Sequence, residues 1–172
     1  MEKIKWGIIG PGNIANNFAD GLKGSYSGQL VSIASKSEDR RKNFGDKYDI
    51  HPDFRFDSYE DIINSEHIDA IYISTPHTLH AQWTIKAAGK GKHILCEKPG
   101  AINFNEGKKI IDAVREAGVF YMEGFMYRCH PQIPKLVDII KNKIIGDVIS
   151  VETSFGFDMG KTIPDHRLFN KI

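Results

Sequence analysis

The chain is 172 residues long, 41% hydrophobic and 26% charged, with 23 Lys plus Arg against 22 Asp plus Glu and a formal net charge of +1. That apolar fraction builds a core and excludes a disordered chain, while the length suits one domain of ordinary size and not a complete two-domain enzyme. The charge balance leaves no global field for nucleic acid or an anionic membrane, so a charged ligand has to be held by a specific site.

Two cysteines, Cys96 and Cys129, are too few for a disulfide framework and point to a reducing, cytoplasmic setting. The apolar run that opens the chain reaches only Ile9 before glycine and proline break it. It is too short for a signal sequence or a membrane span.

Short apolar runs then alternate with helical patterns, the mark of βαβ units and a parallel sheet. Trp6 to Ile9 predicts a buried first strand, and Ile14, Phe18 and Leu22 give one apolar face to the helix after it. Leu30 to Ala34 predicts the second strand, with Ser37 capping a helix whose first turn holds Glu38 and Asp39. Asp53 to Phe56 is a weak third strand, and Ser58 with Asp61 has capping-box spacing for a short helix. Asp69 to Ser74 predicts a fourth strand, followed by a helix from Leu79 that ends on Gly89 as its C′ residue. His93 to Cys96 predicts a fifth strand. Asn103 with Glu106 then opens a helix carrying Ile110, Ile111 and Val114 inward to Gly118, and Val119 to Met122 predicts a sixth strand. Six strands with helices between them make a doubly wound, Rossmann-type α/β domain over residues 1–125. Trp83, Phe104 and Tyr48 are read as core or partly buried positions.

Residues 126–172 look different. Pro134 to Lys143 predicts a helix, and Val148 to Phe157 alternates apolar and polar residues with a period of two, as in a sheet with one wet face. They are read as a linker helix and the first strand of a second, truncated α/β domain. An exposed strand edge there implies association between copies, hence a homo-oligomer.

Gly10-Pro11-Gly12-Asn13-Ile14-Ala15 fits G-x-G-x-x-A between a strand and a helix. Gly10 allows the tight turn, Gly12 lets backbone N–H groups approach a pyrophosphate, and Ala15 permits close helix–strand packing. Gly10, Gly12, Asn13 and Ile14 are therefore cofactor-binding candidates. NAD sites place an acid about 20 residues later to accept from the ribose 2′-OH. Here Ser35-Lys36-Ser37 offers hydroxyls and a cation, which suits a 2′-phosphate. NADP is expected, with NAD still possible.

Three further segments end successive strands, where open α/β sheets bind ligands. They are Thr75-Pro76-His77 with His80, Glu97-Lys98-Pro99, and Tyr127-Arg128-Cys129-His130-Pro131. His77 and His80 stand three apart, but no third ligand has convincing spacing, so no metal site is expected.

Together these motifs resemble the N-terminal part of the Gfo/Idh/MocA family, the glucose–fructose oxidoreductase-like dehydrogenases. Glu123 to Arg128 is most similar to the NADP-dependent dihydrodiol and xylose dehydrogenase branch. The resemblance implies an oxidoreductase acting on CH–OH groups of a sugar, polyol or diol. Lys98 matches the family's catalytic lysine, assisting proton transfer beside the nicotinamide; a partly desolvated lysine could do this by losing its proton more readily. Glu97 matches the acid of that motif, and Thr75, Pro76 and His77 match a segment lining the nicotinamide ribose. Arg128 and His130 are substrate-binding candidates, though Arg128 could equally pair with a structural carboxylate. Family members continue into a second domain, so the chain is expected to be the cofactor-binding part, with weak NADP affinity and little turnover alone. The alternatives are a non-catalytic dinucleotide-binding or assembly module and, from another class, a methyltransferase with a similar glycine loop.

Overall fold

The computed structural model of the chain describes residues 2–156. It divides into two units, Met1–Met126 and Tyr127–Ile172.

The first unit runs β1 (Ile4–Ile9), α1 (Asn13–Lys23), β2 (Gly28–Ala34), α2 (Glu38–Lys47), β3 (Arg55–Phe56), α3 (Tyr59–Asn64), β4 (Ala70–Ile73), α4 (His80–Ala88), β5 (His93–Cys96), α5 (Phe104–Ala117) and β6 (Tyr121–Glu123). The strands form one sheet in the order β3-β2-β1-β4-β5-β6, and every pairing is parallel. This is the doubly wound arrangement, whose order reverses between β1 and β4.

Successive strand residues point to opposite faces and bury both. Ile8, Ile33 and Tyr72 pack with Ala15 and Ala19 of α1 and Phe44 of α2. Ile9, Ala34, Ile71 and Ile73 pack with Ile62 and Ile63 of α3 and Trp83, Ala87 and Ala88 of α4. With a core on each side, β4 reads as an unbroken apolar run and β1 and β2 are buried over their last three residues.

The caps behave largely as their spacing predicts. Ser37 Oγ accepts from the Arg40 N–H, Ser58 Oγ from the Glu60 and Asp61 N–H groups, and Asn103 Oδ1 from the Glu106 N–H. Glu106 returns to the Ile102 N–H and not to Asn103. Gly118 closes α5 in the left-handed region at φ 66°.

Several expectations need correction. The third strand shrinks to Arg55–Phe56, because His51-Pro52 starts a 3₁₀ turn over Pro52–Phe54 and His51 Nδ1 accepts from the Asp53 N–H. Gly89 closes α4 with φ −62°, and the positive φ of 70° falls on Gly91. Ile111 is 39% exposed where an inward position was expected, and Phe104 is 82% exposed, while Trp83 and Tyr48 are buried. Only Ile110 of the α5 stripe is fully buried, and the helix packs chiefly against α4.

In the second unit α6 spans Gln132–Lys141, starting two residues before the predicted Pro134. A proline in the first helical turn gives up an N–H that has no intrahelical partner there. Residues 148–156 form no strand, and Ile149 is 98% exposed. A strand exists only where a neighbour takes its N–H and C=O groups, and the unit has no such neighbour among the described residues. The predicted end at Phe157 and the polar stretch after it lie outside the described residues.

Candidate functional site

The glycine loop is shaped by its neighbours. Gly10 has φ 90°, and a Cβ there would lie 3.0 Å from the Ser74 carbonyl oxygen and 3.1 Å from the Thr75 nitrogen. The Gly10 N–H donates to Ala34 O at 3.2 Å, and Ser74 Oγ donates to Gly10 O at 2.7 Å, which ties the turn to the ends of β2 and β4. Gly12 is the opposite case: no heavy atom comes within 4 Å of a Cβ built on it. It precedes α1, which has neither a side-chain cap nor an acid in its first turn, whereas α2, α3 and α5 have both. The first-turn N–H groups at Asn13 and Ile14 therefore stand beside open space, with the positive end of the helix dipole behind them. Ala15 is fully buried, as close packing of α1 on β1 requires.

At the end of β2, Ser35 is 4% exposed and Lys36 is exposed. Ser35 Oγ accepts from the Ser37 N–H at 3.3 Å, and Ser35 O accepts from Arg41 Nη1 at 2.7 Å. The Lys36 ammonium lies 5.9 Å from the centre of the Tyr59 ring. Arg41 was missed by sequence reasoning. It lies four residues after the cap Ser37, and helical side chains lean toward the N-terminus, so that spacing could have found it.

Beyond β4, Thr75 is buried and its Oγ1 has no hydrogen-bond partner among the described residues. Pro76 and His77 are exposed at the start of the 3₁₀ turn His77–Leu79. His80 is fully buried, with Nε2 2.8 Å from Thr75 O and Nδ1 2.7 Å from Pro99 O. Both nitrogens are thereby engaged, which removes His80 from any metal pair with His77.

Beyond β5, the Glu97 N–H continues the ladder to Ile73 O at 2.9 Å. Tyr72 donates its hydroxyl to Glu97 Oε1 at 2.7 Å. Burial first, and that carboxylate second, push the Tyr72 hydroxyl well above the ordinary tyrosine range, so it stays a donor. The Gly100 N–H donates to Glu123 Oε1 at 2.7 Å, and a Cβ on Gly100 would overlap the Tyr121 hydroxyl. The segment Glu97 to Gly100, with a cis Lys98–Pro99 peptide, is thus held from β4 and β6. Tyr72 and Glu123, which hold it, could not be found from spacing, because they meet it only across strands. Burial pushes the Cys96 thiol up to about 12, which makes it an inert core residue. Lys98 itself is exposed, so the described residues do not supply the partial desolvation expected for it.

The structure therefore brings Gly10, Gly12, Asn13, Ile14, Ser35, Lys36, Thr75, Pro76, His77, Glu97 and Lys98 to one edge of one sheet. Arg128 and His130 belong to the second unit, where both are exposed and His130 Nδ1 accepts from the Gln132 N–H at 3.2 Å. Among the described residues no group of three or more His, Cys, Asp or Glu could hold a metal ion. Around the reversal between β1 and β4, the residues fit a dinucleotide. Gly12 leaves open space in front of the α1 N–H groups, the β2 end presents Ser35 and Lys36, and the loops after β4 and β5 border the same edge.

Known proteins share these features. A family model described as an oxidoreductase family with an NAD-binding Rossmann fold matches residues 4–125. Trans-1,2-dihydrobenzene-1,2-diol dehydrogenase of Xenopus tropicalis is 33% identical over 159 residues, covering 91% of this chain and 48% of its own length. D-xylose 1-dehydrogenase (NADP(+)) 2 of Haloferax volcanii is 32% identical over 96% of this chain and 50% of its own. The solved structure of a 3-ketoreductase from Actinomadura kijaniata in complex with NADP has a TM-score of 0.76 and 31% identity, covering 84% of this chain and 46% of that one. The chain spans about half the length of the curated relatives it matches. With its parallel sheet in the order 3-2-1-4-5-6, its glycine turn and the family match over residues 4–125, this chain belongs to the Gfo/Idh/MocA oxidoreductase family.

Proposed function

We propose that the chain is the cofactor-binding part of an NAD(P)-dependent dehydrogenase acting on CH–OH groups of a sugar, polyol or diol, with NADP preferred. The observation that carries this reading is the meeting, on one sheet edge, of the open Gly12 approach to α1 and the anchored loop that presents Lys98. The dinucleotide, when bound, supplies the hydride acceptor or donor. Lys98 polarises the substrate oxygen and hands it a proton during reduction, or takes the hydroxyl proton during oxidation. Glu97, fixed by Tyr72, orients that loop, and Arg128 and His130 contact substrate hydroxyls.

The preference for NADP rests on the end of β2. Ser35, Lys36 and Ser37 stand where an NAD site has an acid, and Arg41 adds a second cation against Ser35 O. Titration with NADPH and NADH, repeated on Lys36→Ala, tests it. NADPH binds tighter to the natural chain and loses that advantage in the variant. Equal affinity for both, unchanged by the substitution, refutes it.

Residues 126–172 are assigned to a linker helix and the first strand of a second domain. Homo-oligomer formation in the cytoplasm belongs to the same reading; exposed Phe104 and Phe120 favour association, and two cysteines with no disulfide between them suit a reducing compartment. Exposed Lys98 favours one rival, a non-catalytic dinucleotide-binding module. NADPH binding with no hydride transfer to any sugar, polyol or diol in the full-length protein is the result that would select it.

A further inference from the structure

β6 is the last strand of the sheet and pairs only with β5. The Ile94 N–H donates to Phe120 O at 2.8 Å and the Gly124 N–H to Cys96 O at 2.7 Å, so Phe120 and Gly124 turn these groups toward β5. A parallel ladder uses every second residue of a strand, which turns the Tyr121 N–H and C=O to the open side. Nothing takes them among the described residues. No lysine or proline blunts this edge between Val119 and Phe125.

Beside that edge α5 leaves a groove of about 470 Å³, lined among others by Phe104, Ile111 and Tyr121 and by Lys108, Asp112 and Arg115, a set that carries both signs. Phe104, Ile111 and, just before β6, Phe120 are exposed. Ala113 and Val114 of α5 pack on a cluster that holds Ile94 and Cys96 of β5 together with Tyr121, so α5 lies over the β5–β6 pair.

We propose that β6 and α5 are the surface on which a second copy of this chain docks, related by a two-fold axis, so that the two sheets join edge to edge. This rests on the homo-oligomer reading above and not on the dinucleotide. In an antiparallel pair, a residue exchanges both its N–H and its C=O with the residue opposite. Tyr121 offers both on one side, so it fits its own copy across the axis, with Phe120 of each chain opposite Met122 of the other. An axis perpendicular to the sheet keeps both α5 helices on one face. Each lies over its own β5–β6 pair, so the helix axes stand two strand spacings apart, about 9.5 Å. Packed helices stand about 8–10 Å apart, so the two fit. The same axis makes them antiparallel, and a crossing level with Ile110 sets Lys108 of each copy against Asp112 of the other. Phe104 and Ile111 then fill the groove from across the axis.

Analytical ultracentrifugation of the full 172-residue chain measures the dimer dissociation constant. Phe104→Glu and Ile111→Asp change exposed side chains and should each raise it about tenfold or more, with the fold intact by circular dichroism. Lys108→Asp should weaken the dimer, and Lys108→Asp combined with Asp112→Lys should restore it, because the pair is then inverted in both copies. Exchange of the Tyr121 N–H with solvent deuterium should slow as concentration rises through the dissociation constant. A chain that stays monomeric at about 100 μM overturns this interface and the homo-oligomer reading together. An oligomer that keeps its affinity in Phe104→Glu and Ile111→Asp overturns the interface alone, as does a Tyr121 N–H that exchanges equally fast in monomer and dimer. Should the variants not fold, carbodiimide cross-linking of an equal mixture of ordinary and nitrogen-15 chains decides. A Lys108–Asp112 link that joins a light chain to a heavy one supports the interface, and links confined to single chains overturn it. NADPH binding is measured separately, and its failure leaves the interface standing.

Discussion

Gly10 and Gly12 stand two residues apart in one loop, and their substitution by alanine should have opposite consequences. Gly10→Ala forces an L-residue to φ 90° and drives its Cβ to 3.0 Å from Ser74 O, with the Ser74 carbon and Thr75 nitrogen at 3.1 Å. All three neighbours are backbone of the segment leaving β4, so no side-chain rotation relieves the contact. Backbone strain of this kind costs about 1–3 kcal/mol, and spreading β1 from the β4 end adds to it, for a total of about 2–4 kcal/mol. At roughly 2.1 cal/mol/K of unfolding entropy per residue over the Met1–Met126 unit, the melting temperature falls by about 8–15 °C. Gly12→Ala has φ −90° and meets no heavy atom within 4 Å, so stability moves by less than about 0.5 kcal/mol. Its methyl group instead fills the space through which phosphate oxygens would approach the α1 N–H groups, and NADPH affinity falls by about tenfold or more. Thermal unfolding by circular dichroism and NADPH titration by fluorescence give the two readouts on each variant. Gly10→Ala melting with the natural chain, or Gly12→Ala binding NADPH unimpaired, would refute the assignment of steric roles.

Other substitutions test packing, capping and charge. Ile71→Ala removes a fully buried side chain from the centre of the sheet and should cost about 2–5 kcal/mol in urea unfolding. Asn103→Ala deletes the 2.9 Å bond to the Glu106 N–H and should cost about 1 kcal/mol, read as a shift in the urea midpoint. Asp46 is held below the ordinary aspartate value of 3.8 by its hydrogen bonds from Lys42 and then Arg55. Its stabilisation is complete above that value and is lost as pH falls through the depressed one. Asp46→Asn should therefore lower stability at pH 7 and flatten the acid limb of the stability profile, and an unchanged slope below about pH 4 would contradict this.

Much of the fold was legible because local signals coincided. Ser37, Ser58 and Asn103 announced three helices through the N–H groups that they cap, and Gly118 closed one by its left-handed turn. Short apolar runs such as Ile94 to Cys96 and Ala70 to Ile73 marked strands whose partners were bound to be close in a parallel sheet. Where local signals needed a distant partner, reading failed. Alternation over 148–157 looked like a strand, yet residues 148–156 have none, since periodicity cannot supply the neighbour that a ladder requires. The inward placing of Ile111 failed likewise, and Phe104, read as core or partly buried, is 82% exposed, because how much of a helix is covered depends on the elements that pack against it.

The site divides the same way. Composition and motif order by themselves determined that this chain builds a doubly wound sheet with a glycine turn after its first strand, because turn geometry and strand burial depend on residues adjacent in sequence. Only the tertiary structure decided which groups anchor the lysine loop. Tyr72 reaches Glu97 across 25 positions, Glu123 reaches Gly100 across 23, and His80 reaches Pro99 across 19. Such contacts arise when crossover connections bring separate strand ends to one edge, and no local pattern records them.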